Sequence, residues 1–322
     1  MKKGLAYLVL VICLLLYGCT PTKEEPKESK SPEFEIKENK VKIGKYGVDG
    51  ILTIPVSDEV CPVVVMVQGS GQSDYNAMPL ADIAAGLAEK GIASIRITKR
   101  FYQFPELYNN SSTVYEEVLD DIYEAIDYVA NVECVDKEKI YLLGHSFGAM
   151  LGPKIISEKD SICGFISMAG SSRKLEDIIL DQNKAYLEEM VLDDQQREKM
   201  LQEVVDVVEE IKKADPVSDK LLLDIPSKYW CSLNEIDYNA LAKDMDAPVL
   251  ILQGTEDIQI YADKDFPELK SIYGENGESI LYDGLDHLFM KKGDTHISEE
   301  VINDIAEWIK NLSLQSRRGN EA

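Results

Sequence analysis

The chain has only three histidines and six cysteines in 322 residues, and no two of the cysteines stand at CxxC spacing. Zinc sites need several imidazole or thiolate ligands at short intervals, so no metal is expected. Cationic residues are scarce as well: 34 Lys and Arg face 58 Asp and Glu, for a formal charge of -24. A surface of that sign repels phosphate backbones, which excludes nucleic acid as a partner. The uncharged apolar stretch from Leu5 to Tyr17 is shorter than the roughly 20 residues a membrane-spanning helix requires. With 45% hydrophobic and 29% charged residues, the chain still has ample material for a large core, so disorder of the whole chain is excluded.

Lys2 and Lys3, followed by that short apolar run and Gly18, are what a secretory signal needs. Leu16-Tyr17-Gly18-Cys19 resembles the lipobox of bacterial lipoproteins, with Tyr17 where a small or β-branched residue is usual. The resemblance implies removal of residues 1–18, diacylation of Cys19 and a lipid tether outside the cytoplasmic membrane; an ordinary signal peptide with an incidental cysteine is the alternative. Residues 19–40 are rich in Lys, Glu, Pro and Ser and read as a disordered tether. The folded domain is expected to span 41–322, beginning near Val41. Of the remaining cysteines, Cys61, Cys134, Cys163 and Cys231 suit either one disulfide or buried free thiols.

Val41 to Tyr46 and Gly50 to Ile54 predict an antiparallel hairpin at a sheet edge. Beyond it, extended and helical patterns alternate. Val63 to Val67 is a continuous run suited to a strand buried on both faces. Ala81–Glu89 reads as a helix, Ala93–Ile97 as a strand, Val114–Val129 as an amphipathic helix and Ile140–Leu143 as a strand. Ala149–Ile156 is helical and Gly164–Met168 extended, with Val249–Gln253, Ser279–Tyr282 and a last helix, Glu299–Leu312, further on. Such alternation implies an α/β fold, a mostly parallel central sheet with helices on both faces. Residues of about 173–245 interrupt it, too long for a structureless loop. Leu201, Val204, Val205, Val208 and Ile211 share one helix face. The insertion is expected to be a helical lid, because it leaves from the carboxyl end of a strand, where such sheets keep their ligands; an added helical layer on the core is the alternative.

Gly144-His145-Ser146-Phe147-Gly148 fits G-x-S-x-G between a buried strand and a helix, the context in which the serine hydroxyl projects from a sharp turn as a nucleophile. A serine needs a base, and the base an orienting carboxylate. His145 is adjacent within the turn and reads as structural. His287, in the glycine-containing loop after the last predicted strand, is preferred over His296, which lies nearer the final helix. For the acid, Asp257 follows the strand Val249–Gln253, with Glu256 and Asp286 as competitors. Oxyanion donors are expected from the amide of Phe147 and, in the loop Gln68-Gly69-Ser70-Gly71, the amide of Ser70.

Together with Thr98-Lys99-Arg100, Leu252 to Asp257 and Leu285 to Phe289, these motifs resemble the dienelactone-hydrolase-like and acyl-esterase-like group of bacterial α/β-hydrolases, over nearly everything from Val41 onward. The resemblance implies an α/β-hydrolase fold with nucleophile Ser146, acid Asp257 and base His287, and Tyr229-Trp230 matches a segment of the family's helical insert. Gln68 stands where the family usually has histidine, and Gln72 to Asn76 lack its arginine. The expectation is a serine hydrolase cleaving carboxylic esters of small molecules through an acyl-enzyme, without cofactor. An acyltransferase or peptidase with the same triad, and a catalytically silent binding lipoprotein, are the alternatives.

Overall fold

The structure is a computed structural model that describes residues 33–320. Cys19, the expected cleavage site and most of the expected tether lie outside the described residues. The first strand, β1 (Ile36–Ile43), pairs antiparallel with β2 (Val48–Pro55), Ile36 opposite Pro55. Among the described residues the first strand thus starts at Ile36, ahead of the extended stretch expected from Val41. The reason is that β1 is an edge strand with mostly exposed side chains, so its backbone ladder, and not an apolar pattern, holds it.

The chain continues through β3 (Cys61–Val67), α1 (Leu80–Ala88), β4 (Ala93–Ile97), the single turn α2 (Arg100–Gln103) and α3 (Asp120–Val129). A π-helical turn, Tyr115–Leu119, runs directly into α3. There follow β5 (Val135–His145), α4 (Phe147–Ser157) and β6 (Ile162–Met168). After an insertion come β9 (Val249–Gly254), α9 (Asp265–Tyr273), β10 (Gly277–Tyr282) and α10 (Glu299–Asn320). The eight-stranded sheet has the order β1-β2-β4-β3-β5-β6-β9-β10. From β4 onward all neighbours are parallel, and β2 meets β4 antiparallel.

The central strand β3 shows why both faces must be covered. Its side chains alternate, so Val63, Val65 and Val67 enter one apolar cluster and Val64 and Met66 the other. Ile122 and Ile126 of α3, with Leu151 and Ile155 of α4, close the first; Ile83 and Leu87 of α1, with Val301 and Ile305 of α10, close the second. This is the mostly parallel, helix-covered sheet of an α/β-hydrolase.

Between β6 and β9 the chain forms α5 (Leu175–Glu189), α6 (Asp194–Ile211), the small hairpin β7 (Leu221–Leu222) and β8 (Ile225–Pro226), α7 (Ser227–Asn234) and α8 (Tyr238–Lys243). Asp193 caps α6 in a reciprocal pair with Gln196. Val204, Val208 and Ile211 form its buried stripe, while Leu201 and Val205 are half-buried. Trp230 of α7 is fully buried and its Nε1 donates to the Leu222 carbonyl at 3.0 Å. Cys61, Cys134, Cys163 and Cys231 are free thiols, and burial pushes the Cys61 thiol up to about 11. Among the described residues, no helix is long and apolar enough to cross a membrane.

Candidate active site

Ser146 is the one residue between the end of β5 and the start of α4, with φ 56° and ψ -118°. A serine adopts that conformation only when its surroundings impose it. Close packing does so here: a Cβ on Gly144 would lie 2.4 Å from the Gly148 carbonyl oxygen, and one on Gly148 would lie 2.3 Å from that of Val67. Only glycine fits at either place, and the turn they permit leaves Ser146 partly exposed. Its Oγ has no hydrogen-bond partner among the described residues.

The loops after β9 and β10 are stitched together by Thr255 N–H on the Tyr282 carbonyl and Glu256 N–H on that of Leu285, both at 2.9 Å. They bring two buried side chains face to face, His287 Nδ1 lying 2.8 Å from Asp257 Oδ2. Asp257 Oδ2 also accepts from Gln253 Nε2 at 2.9 Å, and Oδ1 accepts from the N–H groups of Gln259 and Ile260 at 2.8 and 2.9 Å. Burial alone would push the carboxyl up; facing His287 and the two N–H groups outweigh it and hold the carboxyl below its usual range. Nδ1 is thereby committed as a donor, and Nε2 is left as the ring nitrogen without a partner among the described residues.

His145 sits beneath this pair. Its Nε2 lies 2.8 Å from the His287 carbonyl, and the two rings are 4.8 Å apart. Burial, and then neighbouring His287, push its imidazole down to about 3, so it stays neutral and donates. This contact joins the end of β5, which leads into Ser146, to the loop carrying His287. Elsewhere, His296 is exposed and meets Asp82 at 3.0 Å, and Glu256 is exposed. Asp286 Oδ1 caps its own turn by accepting from Leu288 and Met290 N–H.

Phe147 follows Ser146 in the chain, and Ser70 lies in the loop that approaches Ser146 through Gly69. As first residue of α4, Phe147 has an N–H with no intrahelical acceptor. The Gln68–Gly71 loop is close: a Cβ on Gly69 would lie 3.3 Å from Ser146 Cβ. Neither Phe147 N–H nor Ser70 N–H donates to any acceptor among the described residues. Gln68, the departure from the resembled pattern, is buried and spans the loop: Nε2 donates to the carbonyls of Asp74 and Ile97, and Oε1 accepts from Ser73. Sequence reasoning missed the group behind this loop, namely Lys99, Glu117 and Tyr229. A buried ionisable pair on α2's threshold and in the π-turn has no local pattern to betray it, although Lys99 and Tyr229 both lie inside motifs of the resemblance.

A family described as BAAT / acyl-CoA thioester hydrolase C terminal matches residues 121–266. Esterase EstD of Thermotoga maritima is 33% identical over 315 residues, covering 92% of this chain and 73% of that protein. Among solved structures, Est1E from Butyrivibrio proteoclasticus superimposes with a TM-score of 0.59 at 18% identity, covering 85% of this chain and 99% of its own. A Pyrococcus furiosus esterase does so at 0.57 and 15%, covering 91% and 97%.

Proposed function

The chain belongs to the α/β-hydrolase esterases, the family of Esterase EstD, and is an ester-cleaving hydrolase; from that premise we propose that it acts through an acyl-enzyme on Ser146, with His287 as base and Asp257 as its orienting acid. Ser146 Oγ attacks the ester carbonyl while its proton passes to His287 Nε2. The oxyanion accepts from Phe147 and Ser70 N–H, and collapse expels the alcohol, which takes the proton from His287. Water then repeats the cycle in reverse roles and releases the acid. What supports this reading is the buried His287–Asp257 contact of 2.8 Å together with a serine held at positive φ, whose chain neighbour His145 reaches the His287 carbonyl at 2.8 Å.

A fluorophosphonate probe added to the protein from Thr20 onward is expected to attach one equivalent at Ser146, blocking turnover of a p-nitrophenyl ester. Full labelling of Ser146→Ala would dismiss the mechanism.

The matched family model favours acyl-CoA thioesters as a second substrate class. The formal charge of -24 opposes it, since coenzyme A is itself polyanionic. Neutral small-molecule esters are therefore the proposed substrates. The insertion from α5 to α8 is proposed as a lid: it departs beyond Met168, whose carbonyl accepts from Ser146 N–H at 2.8 Å. Anchoring through a diacylated Cys19 outside the cytoplasmic membrane is likewise proposed, supported by Lys2-Lys3, the short apolar run and the lipobox-like Leu16 to Cys19. Expressed in a bacterium fed labelled palmitate, the protein should take up label that Cys19→Ser abolishes; unlabelled wild-type protein would refute the anchor.

A further inference from the structure

The Ser70 N–H belongs to the same peptide unit as the Gly69 carbonyl, and in a trans peptide the two point to opposite sides. That unit lies between Gly69 and Gly71, and Gly71 has φ +83°. A peptide in such a glycine-rich turn rotates at little cost, and rotation would turn the donor away from the oxyanion. Something has to hold it. Lys99, 5% exposed, places Nζ 2.7 Å from the Gly69 carbonyl oxygen. The same ammonium is 6.0 Å from the centre of the Phe147 ring, on the residue supplying the other amide.

We propose that Lys99 is a positioning residue that sets the Gly69–Ser70 peptide with its N–H toward the oxyanion, and that Glu117 and Tyr229 tie this setting to the helical insertion. The inference rests on the acyl-enzyme reading of Ser146. An ammonium bonded to a carbonyl fixes the peptide's orientation and draws electron density toward oxygen, which makes the N–H a stronger donor. Glu117 is the hub that holds the ammonium. Its Oε1 lies 3.6 Å from Lys99 Nζ and accepts from Gln72 Nε2 of the same loop at 3.2 Å, and its Oε2 accepts from the Tyr229 phenol of α7. The insertion therefore reaches the oxyanion loop through one carboxylate. A shift of α7 that removed Tyr229 would leave Glu117 and Lys99 to rearrange, and the donor with them.

Lys99→Met alone would strand a buried carboxylate, so the test is the pair Lys99→Met with Glu117→Gln, alongside Tyr229→Phe. The readouts are kcat and KM for a short p-nitrophenyl ester, and the inhibition constant of a trifluoromethyl ketone, which Ser146 converts to an oxyanion. For the double variant, kcat is expected to fall by about 10- to 100-fold with KM within about threefold, and the ketone to bind more weakly by the same factor as kcat/KM falls. Tyr229→Phe removes one oxygen and should lower kcat and ketone affinity together by about three- to tenfold. Unchanged kcat and ketone affinity, or a rise in KM alone, overturns the inference; if the double variant does not fold, Tyr229→Phe decides by the same two numbers. Ser146→Ala separates the two readings. If it loses all turnover while the Lys99 and Tyr229 variants keep theirs, the triad stands and the relay falls; if it keeps turnover, both fall.

Discussion

Replacing His287 with alanine is expected to lower kcat/KM for a p-nitrophenyl ester by about 10^4- to 10^6-fold, because a serine hydroxyl without a base is a poor nucleophile and the triad acts as a unit. The loss should fall on kcat, with KM nearly unchanged, since the imidazole takes its proton only as the transition state forms. The fold should survive. Asp257, left facing the vacated ring position, keeps three donors: Gln253 Nε2 and the N–H groups of Gln259 and Ile260. Circular dichroism and steady-state kinetics on the same preparation separate these effects. A variant within tenfold of the parent would mean that another group serves as base, and exposed His296, already turned to Asp82, offers no such group.

Asp257→Asn should cost about 10^4-fold in kcat, for a different reason. Both carboxylate oxygens are acceptors only, each facing two donors. An amide can satisfy one side. With its NH2 toward Oδ2's neighbours, it meets Gln253 Nε2 and forces His287 to accept at Nδ1, which puts the proton on Nε2 where a base must be bare. Turned over, the NH2 meets two backbone N–H groups. Stability changes with pH as well: the Asp257 carboxyl is held below its unfolded value, so its stabilisation is complete above about pH 4 and is lost as pH falls through the folded value. The variant's deficit in urea midpoint should accordingly be large at pH 7 and shrink below about pH 4. A deficit that stays constant across that range would refute the linkage.

How much of this was legible depends on the reach of each feature along the chain. The run Val63 to Val67 announces a strand buried on both faces because an unbroken, mostly β-branched apolar run is a local feature, and the two clusters it feeds follow from pleat geometry. The edge strand β1 begins at Ile36, ahead of the Val41 start its sequence predicts, since its exposed side chains carry no pattern and only its ladder to β2 defines it. The place of His145 beside the serine predicts a structural role, but its bond to the His287 carbonyl spans 142 residues of sequence.

The sequence by itself determined the alternation of strand and helix and the G-x-S-x-G turn between β5 and α4. Each of these depends on neighbours within one turn or one strand, where sterics and periodicity act directly. Only the tertiary structure decided that Asp257 would take four donors, that His145 would brace His287, and that Lys99, Glu117 and Tyr229 would meet behind the Gly69 carbonyl. Buried charges are tolerated only when partners close around them, and those partners come from α2's edge, the π-turn and α7, which nothing but the folded sheet brings together.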